Sequence, residues 1–396
     1  MTMKKQIFLL ITIGFAIVLN QMLSFKPENV KLSVETPSLK PLKKENVNKS
    51  GKERTNLKLR KLYSKSIPLF SPLDKEALLP MPAEKLGVAL KNQAKLIRYA
   101  KNETHYSDDD LTITKAKLKT TVALLQKWNN ADLNSLSELF DTYLLKGRDR
   151  KGNVKFTGYY SPIIEVNSEY GGEYIYPIYE KPNEDDWKNG LPTRYEILHK
   201  DALADQGLEL AWAKSQKDIS SLQLQGSGYM KYPDGTTEYI GYGGNNGRTK
   251  KVVYKAKKVN MSPSAENRKE AKGDSIEMDS IQEVAYRRPG YTFFQRNNKP
   301  FPIGAGGVEV TPDISVAVDP KLVPLGACLL VEFPVINKKG KLLHHEYKIL
   351  LAQDTGGAIK GPGRVDFYTG IGVKALHKAR YLSHYGKVWI LMPKEK

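Results

Sequence analysis

The chain has 396 residues and a formal net charge of +19, with one cysteine and six histidines. This length is enough for roughly two or three domains with a sizeable buried core. The single cysteine, Cys328, excludes an intramolecular disulfide, and its place in the apolar run Ala327–Val331 predicts a buried small hydrophobe. The histidines show no metal-ligand spacing such as HExxH and no cysteine pair is available, so no metal site and no cofactor are predicted.

The N-terminal segment, residues 1–25, has the pattern of an export signal. Lys4 and Lys5 precede an apolar stretch from Ile7 to Leu19, which continues more weakly to Phe25. Because no small-x-small cleavage site follows this stretch, an uncleaved membrane anchor is favoured over a cleaved signal peptide, and both interpretations stay open. The expected location is the periplasm or cell envelope, with membrane association through this segment.

Residues 26–65 are predicted to be a basic linker. The tract from Lys26 to Lys65 contains ten lysines, two arginines and four glutamates, which together give +8, and it has no sustained apolar period. A solvated tether is the favoured interpretation, and attraction to anionic lipid head groups or to the carboxylates of a cell-wall peptide is the alternative. Nucleic acid is not an expected partner, because much of the positive charge lies in this tract and the sequence contains no recognised DNA- or RNA-binding motif.

After the linker the apolar pattern changes from helical to β. From Leu73 to Leu144 apolar residues recur at helical spacing, which predicts an N-terminal helical segment. Lys146 to Lys151 is a polar break, and β-branched and aromatic residues then predominate up to about Phe294. Turns are predicted at three pairs, Gly171-Gly172, Asp234-Gly235 and Gly243-Gly244.

The C-terminal third is predicted to contain further short strands. It follows a charged stretch from Lys255 to Met278, which is expected to be helix or loop. Beyond Pro302, strands are predicted at Val308–Val310, Ser315–Val318, Leu329–Phe333, Tyr347–Leu351 and Val388–Leu391. The predicted fold class is therefore mainly β with an N-terminal helical segment, and the pattern alone gives no topology.

Two aspartates flank a glycine-rich stretch directly after an apolar run. Asp354 follows Ile349–Ala352, Asp366 comes later, and glycines stand between them at positions 356, 357, 361 and 363. Because glycine permits positive φ and close backbone approach, we expect the loop to bring the two carboxyl groups near each other. Two close carboxylates cannot both ionise cheaply, so one is expected to hold a proton, as a general acid towards a glycosidic oxygen does.

Eight short motifs follow one another between about Ser66 and Leu391. They are Thr157–Pro162, Leu191–Arg194, Leu224–Tyr229, Tyr242–Gly247, Asp319–Gly326, Ala352–Gly361, Asp366–Tyr368 and His384–Leu391. In this order they resemble the membrane-bound lytic murein transglycosylase A family with its C-terminal three-aspartate domain. The resemblance covers most of the chain.

The resemblance implies a two-part architecture. A double-psi β-barrel catalytic domain with a helical cap would comprise residues 66–162 and 298–396, and a second β-barrel domain for substrate binding, residues 163–297, would be inserted into it. A groove between them would hold a glycan. The family is often anchored through a lipidated cysteine at the end of the signal, whereas Cys328 lies far downstream, so the protein is not expected to be a lipoprotein.

The resemblance also implies an activity. It is that of a lytic transglycosylase, a lyase that cleaves the β-1,4 bond between N-acetylmuramic acid and N-acetylglucosamine in peptidoglycan glycan strands and leaves 1,6-anhydromuramic acid ends. Asp366 falls on the family's essential aspartate and would act as general acid and then base, although the loop after Asp354 is one residue longer than the family pattern. For Asp354, a supporting carboxylate and a turn-capping residue are equally favoured, and Asp319 is expected to be a structural turn residue.

Aromatic, amide and hydroxyl side chains in the same motifs are candidates for binding sugars. The candidate substrate-binding residues are Thr157, Tyr159, Tyr160, Gln225, Ser227, Tyr229 and Lys360. Tyr159 and Tyr160 alternate on a predicted strand, so one is expected in the core and the other in the groove. Lys360 could neutralise a muramyl lactate or peptide carboxylate, and ordinary strand, turn or solvated roles remain open for the whole set.

Two other functions remain open. A non-catalytic peptidoglycan-binding protein would hold the glycan without cutting it. A hydrolase of the same bond would need a second catalytic carboxylate about 5 to 9 Å from the first. A serine hydrolase is not indicated, because Ser227 does not stand in a GxSxG elbow.

Overall fold

The computed structural model describes residues 62–66, 68, 83–108, 110–128, 133–248 and 289–395. The predicted export signal, the linker up to residue 61 and the charged stretch from Lys255 to Met278 lie outside these ranges. Within them, no helix is both long and apolar enough to span a membrane.

The described chain is mainly β with several helices, as predicted. The strands are β1 (Tyr63–Lys65), β2 (Thr104–Ser107), β3 (Thr112–Thr114), β4 (Phe140–Leu145), β5 (Val154–Ser161), β6 (Ile163–Asn167), β7 (Tyr176–Tyr179), β8 (Glu209–Ala213), β9 (Gly228–Lys231), β10 (Thr237–Asn245), β11 (Thr292–Arg296), β12 (Ser315–Ala317), β13 (Cys328–Ile336), β14 (Leu342–Asp354), β15 (Arg364–Ile371) and β16 (Ser383–Pro393). The α-helices are α1 (Ala83–Tyr99), α2 (Lys115–Trp128), α3 (Leu133–Leu139), α4 (Arg194–His199), α5 (Gln216–Gln225) and α6 (Gly372–Tyr381).

Eight strands form the first sheet, in the order β1-β4-β16-β13-β14-β12-β15-β5. Strand β16 also pairs with β5, so the ladder that runs through β13, β14, β12, β15 and β5 returns to β16. The β12–β14 and β15–β5 pairs are parallel, and the other pairs of this sheet are antiparallel. A strand from the middle of the chain is thus hydrogen-bonded to strands from its C-terminal end.

Six strands form the second sheet, in the order β11-β10-β9-β6-β8-β7. All six lie in sequence between β5 and β12. Only Pro162 separates β5 from β6, and its carbonyl accepts a hydrogen bond from the Tyr229 N–H at 2.8 Å. The chain therefore passes from one sheet to the other at Pro162, beside the motif residues on β5 and β9.

The predicted helical segment is confirmed in part. The apolar stripes of α1 and α2 are buried as their spacing predicts, through Leu86, Leu90, Ile97, Leu118, Val122, Leu125 and Trp128. Strands β2, β3 and β4 interrupt the segment, and β4 joins the first sheet between β1 and β16. Short strands of this kind are specified by the strands with which they pair, and the spacing of apolar residues along the chain carries no information about those partners.

The C-terminal end of the predicted linker is a strand instead. Tyr63 in β1 is fully buried, and its hydroxyl donates to the Leu322 carbonyl at 2.8 Å. Its ring meets that of Tyr106 edge to face, with centroids 5.2 Å apart. Composition concealed this strand, because the buried tyrosine stands in a lysine-rich tract.

The glycine pairs behave differently from one another. Asp234-Gly235 forms the turn between β9 and β10, and Gly171-Gly172 also lies in a turn, as predicted. The prediction of a turn at Gly243-Gly244 is wrong, because both lie within β10, where the register with β11 shifts. A Cβ on Gly243 would stand 2.5 Å from the Phe294 carbonyl oxygen, so glycine permits a close backbone approach at a bulge.

The five C-terminal strand predictions are confirmed except one. Val308–Val310 is not a strand, since Glu309 makes only an isolated bridge to Ile303. Cys328 is fully buried, as predicted, and burial raises the pKa of its thiol. Cys328 belongs to the main hydrophobic core, which is formed by buried side chains of the first sheet and of helices α1 and α2.

Candidate active site

The two aspartates are brought together by a short strand that lies between them. Strand β12 runs between β14 and β15, and its residue Ala317 is the register partner of Asp354 on one side and of Asp366 on the other. Residues directly opposite each other on paired strands share a face, so both carboxyl groups belong to one face of the sheet. Their Cα atoms are two strand spacings apart, about 10 Å.

The glycine-rich loop contributes less to this arrangement than expected. Of its glycines at 356, 357, 361 and 363, only Gly361 has a positive φ, at 82°. Its N–H donates to Asp319 Oδ2 at 2.8 Å, while Asp319 Oδ1 accepts from the Lys321 N–H at 3.2 Å. Asp319 is thus a structural turn residue, as predicted, and it fastens the end of the loop.

Asp366 has one oxygen engaged and one open. Thr157 Oγ1 donates to Asp366 Oδ1 at 2.5 Å, and Arg364 Nε donates to the same hydroxyl at 2.9 Å. Arg364 Nη2 stays 3.7 Å from Asp366 Oδ2, which has no hydrogen-bond donor among the described residues. The side chain is 14% exposed, so Oδ2 is the oxygen available to a ligand.

Burial sets the protonation tendency of Asp366. Loss of water contact raises the pKa of its carboxyl group, and the Thr157 hydrogen bond and the Arg364 charge oppose that rise. The net direction is upward, which favours the protonated form. A carboxyl group whose pKa is raised keeps its proton to higher pH than an exposed aspartate does, which suits a general acid.

Asp354 has both oxygens engaged. The N–H groups of Ala305 and Thr355 donate to its Oδ1, each at 2.8 Å, and the Tyr159 hydroxyl donates to its Oδ2 at 2.9 Å. Burial raises the pKa of Asp354, these three hydrogen bonds lower it, and the charge of Asp366 is the smallest of the causes. Mutual repulsion is therefore a minor influence, contrary to expectation, because the aspartates stand on either side of β12.

Of the two adjacent tyrosines, one faces the acids and one lies in the core. The Tyr159 ring contacts the Tyr368 ring, with centroids 5.1 Å apart, and burial raises the pKa of Tyr159 well above its usual value, so that it remains a donor to Asp354. Tyr160 is buried against Ala375 and Ala379 of α6, and its hydroxyl pairs with Ser221 at 2.9 Å. Thr157 and Tyr159 thus share the acid-facing side of β5.

Two of the other predicted residues, Gln225 at the end of α5 and Tyr229 on β9, hydrogen-bond to segments that lead to the site. Gln225 Oε1 accepts from the Tyr160 N–H at 3.1 Å, and the Tyr229 hydroxyl donates to the Pro300 carbonyl at 3.0 Å. Burial raises the pKa of Tyr229 to about 12, and Ser227 lies between α5 and β9. These contacts position the ends of β5 and of the segment that leads to Ala305.

The side chain of Lys360 makes no hydrogen bond to these site residues in the described part of the chain. Its side chain is exposed, and its carbonyl accepts from Arg148 Nη2 at 3.1 Å. It stands on the glycine-rich loop, where a mobile anionic group of a ligand could still reach it.

Two residues of the site were missed in the sequence. Arg364 precedes Asp366 by two positions, and the period of a strand would have placed both on one face. The Ala305 N–H lies in Gly304–Gly307, where added Cβ atoms would stand 2.7 Å from the Gln353 oxygen at Gly304 and 2.3 Å from Leu96 Cδ1 at Gly306. The cluster of glycines could have indicated this donor, because glycines allow a backbone segment to pack closely against its neighbours.

Comparison with family models places most of this site within two known domains. The model described as the "MltA specific insert domain" matches residues 155–295, and the model described as the "3D domain" matches residues 314–392. The first begins in β5 and includes Thr157, and the second includes both Asp354 and Asp366.

Curated relatives agree with these models. The chain is 34% identical over 279 residues to membrane-bound lytic murein transglycosylase A of Escherichia coli (strain K12), covering 67% of this chain and 74% of that protein. It is 33% identical over 256 residues to the protein of the same name from Vibrio cholerae serotype O1, covering 62% and 67% respectively.

Solved structures show the same fold. The crystal structure of E. coli MltA with bound chitohexaose aligns with a TM-score of 0.65 at 29% identity, covering 84% of this chain and 95% of that one. A membrane-bound lytic murein transglycosylase from Agrobacterium tumefaciens aligns with a TM-score of 0.60 at 23% identity, covering 84% and 97%, and shows the fold alone. By sequence, domain content and fold, the chain belongs to the membrane-bound lytic murein transglycosylase A family.

Proposed function

We propose that this chain is a lytic transglycosylase that cleaves the β-1,4 bond between N-acetylmuramic acid and N-acetylglucosamine in peptidoglycan and leaves 1,6-anhydromuramic acid ends. Family membership supports the class of reaction, since the relatives are named as lytic murein transglycosylases. The observation that carries the proposal is the state of Asp366, a largely buried carboxyl group with a raised pKa and one open oxygen.

Asp366 would act first as acid and then as base. Its protonated carboxyl group donates to the glycosidic oxygen as the bond to C1 of the muramyl residue breaks. The resulting carboxylate takes the proton of the C6 hydroxyl of the same residue, and the C6 oxygen attacks C1 to close the 1,6-anhydro ring. The nucleophile belongs to the substrate, so it gains the advantage of an intramolecular reaction and no second nucleophilic carboxylate is needed.

Asp354 suits a positioning role better than an acid role. Its carboxylate accepts three hydrogen bonds from the protein, two at Oδ1 and one at Oδ2, which leaves fewer lone pairs for a ligand than Asp366 has. Through these bonds Asp354 holds the Ala305 segment and Tyr159 in fixed positions around the site. The two roles considered for Asp354, a turn-capping residue and a supporting carboxylate, are therefore compatible, because one side chain makes both sets of contacts.

The glycan would lie where the two sheets meet. Thr157 and Tyr159 bond the acids from β5, Gln225 bonds the end of β5 at Tyr160, and Tyr229 of the second sheet bonds the Pro300 carbonyl, with Ser227 between α5 and β9. The E. coli relative whose structure contains chitohexaose supports a glycan as the ligand. We assign sugar contacts to Tyr159, Gln225, Ser227 and Tyr229, a core role to Tyr160, and an outer contact with lactate or peptide carboxylates to Lys360.

We further propose that each sheet belongs to a barrel. The closed path of pairings β16-β13-β14-β12-β15-β5-β16 supports a six-stranded double-psi barrel for the catalytic part, comprising residues 66–162 and 298–396. The second sheet, within residues 163–297, is the proposed inserted substrate-binding barrel. The relatives are named as membrane-bound, which supports anchoring through residues 1–25.

Mass spectrometry of the muropeptides released from purified sacculi tests the reaction and the acid together. The full chain in detergent and Asp366→Asn would be compared, with Asp234→Asn as a matched control because Asp234 lies in an exposed turn. Wild type and control should release anhydro-muropeptides, and Asp366→Asn should be slower by about 10²- to 10⁴-fold, the usual contribution of a general acid.

The products distinguish the alternatives. Muropeptides with a reducing muramic acid end would identify a hydrolase of the same bond. Retention on sacculi without any release would identify a glycan-binding protein. Undiminished activity of Asp366→Asn would place the acid elsewhere.

A further inference from the structure

A cavity lies between the β13–β14 hairpin and helix α6. Its volume is about 640 Å³, within the range of small-molecule sites, and it is lined by residues other than Asp354 and Asp366. Phe367 lines it although Asp366 belongs to the active site, because successive side chains on β15 point to opposite faces. The cavity is therefore separate from the site of the proposed reaction.

The floor of this cavity is aromatic and carries an ammonium group. The rings of Phe333 and Phe367 lie 4.6 Å apart, and Lys348 Nζ stands 4.5 Å from the first centroid and 5.8 Å from the second. The rings attract the charge but accept no conventional hydrogen bond. Within the described part of the chain, no carboxylate pairs with Lys348, and burial lowers the pKa of its amine.

A carboxylate with a free oxygen lies beside this ammonium group. Glu346 lines the same cavity, two residues before Lys348 on the same face of β14. Its Oε1 is hydrogen-bonded to His344 Nε2 at 2.9 Å, whereas its Oε2 is buried without a partner among the described residues. Their Cα atoms, two positions apart on the strand, are separated by about 6.7 Å, so the two side chains are neighbours of opposite charge on one face of β14.

The other charged side chains at the cavity do not form ion pairs with Glu346 or Lys348 among the described residues. Asp313 is already engaged by Lys85 at 3.4 Å and by Lys378 at 3.5 Å. Lys338 and Lys374 are exposed at the rim, where their charge favours the entry of an anionic group.

We propose that this cavity binds a small zwitterion with an apolar body, of the size of a dipeptide. Its carboxylate would accept from Lys348 Nζ, its ammonium group would donate to the Glu346 carboxylate, whose side chain is 15% exposed, and its apolar side chains would cover Phe333 and Phe367. The Cα atoms of a dipeptide are 3.8 Å apart, and one further bond at each end brings its terminal charges to a separation of roughly 6 to 7 Å. A single amino acid has only one side chain with which to cover the two rings, so it buries less apolar surface than a dipeptide.

Calorimetric titration of the full chain in detergent with leucyl-leucine tests this proposal. Saturable binding with a Kd of about 1 mM or tighter is expected. N-acetyl-leucyl-leucine lacks the ammonium group, leucyl-leucine amide lacks the carboxylate, and leucine lacks the second apolar side chain, so each should bind at least about tenfold more weakly. No saturable binding of the dipeptide, or equal binding of either blocked analogue, would overturn the proposal.

Substitutions then locate the site. Lys348→Met and Glu346→Gln should each weaken leucyl-leucine binding by about tenfold or more, whereas Lys217→Met and Glu169→Gln, on exposed side chains far along the chain, should not. Thermal unfolding of every variant shows whether it is folded. Binding that survives both cavity substitutions in folded protein, or that is lost in Asp366→Asn, would refute a separate site.

Discussion

At the scale of single residues, burial and hydrogen bonding have opposite effects on the pKa values of the two aspartates in the site. Burial raises the pKa of both carboxyl groups, but Asp354 receives three hydrogen bonds and Asp366 only one. Hydrogen bonds donated to a carboxylate favour its charged form. Asp366 is thus the less restrained of the two, both in charge and in access to a ligand.

Thr157→Val should move the alkaline limb of the pH–activity profile to higher pH. The Thr157 hydroxyl lowers the pKa of Asp366, so its removal raises that pKa further and keeps the acid protonated over a wider range. The maximal rate should fall by less than about 10²-fold, because the general acid is retained. The pH dependence of anhydro-muropeptide release from sacculi measures both effects.

Thr236→Val is the control, since that hydroxyl donates to Asp234 in an exposed turn. An alkaline limb of Thr157→Val that stays in place, or moves to lower pH, would show that Asp366 does not set it.

At the scale of elements, close packing between β5 and α6 fixes the strand that carries Thr157 and Tyr159. Gly158 lies between them, and a Cβ there would stand 2.6 Å from Ala379 Cα. Helix α6 has no side-chain hydrogen bond at its N-cap, so its position depends on this packing. The geometry of the site is therefore coupled to a helix that lies behind it.

Gly158→Ala should destabilise the fold by about 1–3 kcal/mol, because the added methyl group overpacks a backbone contact. Gly87→Ala is its matched control, since nothing lies within 4 Å of an added Cβ at that position in α1. That change should stabilise the fold by about 0.5–1 kcal/mol, through helix propensity. Urea unfolding of both variants measures the difference, and equal stabilities would contradict the close contact.

The sequence predicted those elements whose signal is local. The apolar stripes of α1 and α2 and most β-rich runs were correct, since periodicity reports which face is buried. It could not predict the bulge at Gly243-Gly244, which depends on β11, nor helix α6, whose ends lack capping side chains. Both are specified by tertiary contacts.

At the scale of the whole molecule, the first sheet joins distant parts of the chain. Thr157 and Asp366 are 209 positions apart, and Tyr63 and Leu322 are 259 apart. No local pattern predicts such contacts, so the candidate residues were found from motif resemblance while their partners, Arg364 and the Ala305 N–H, were not. Strand β1 shows that the folded part extends into the lysine-rich tract.

Tyr63→Ala in the full chain should destabilise the fold by roughly 3–5 kcal/mol, the usual cost of truncating a buried aromatic side chain. Tyr63→Phe should cost only about 0.5–1.5 kcal/mol, for the hydrogen bond to Leu322. Tyr99→Ala is the control, because that side chain is 71% exposed and should change stability by less than about 0.5 kcal/mol. Denaturant unfolding gives all three values, and a Tyr63→Ala variant as stable as Tyr99→Ala would show that β1 is dispensable.

Asp354 and Asp366 are both paired with Ala317, so their separation in space is set by the sheet and not by the number of residues between them. Since strand hydrogen bonds hold both acids, the exposed residues Gly357 and Ala358 between them do not determine how far apart they stand. Insertions at that point could lengthen the loop without moving the chemistry, so natural relatives are free to diverge in length there. The same point offers an engineer a place to add a tag or a recognition peptide at the mouth of the site.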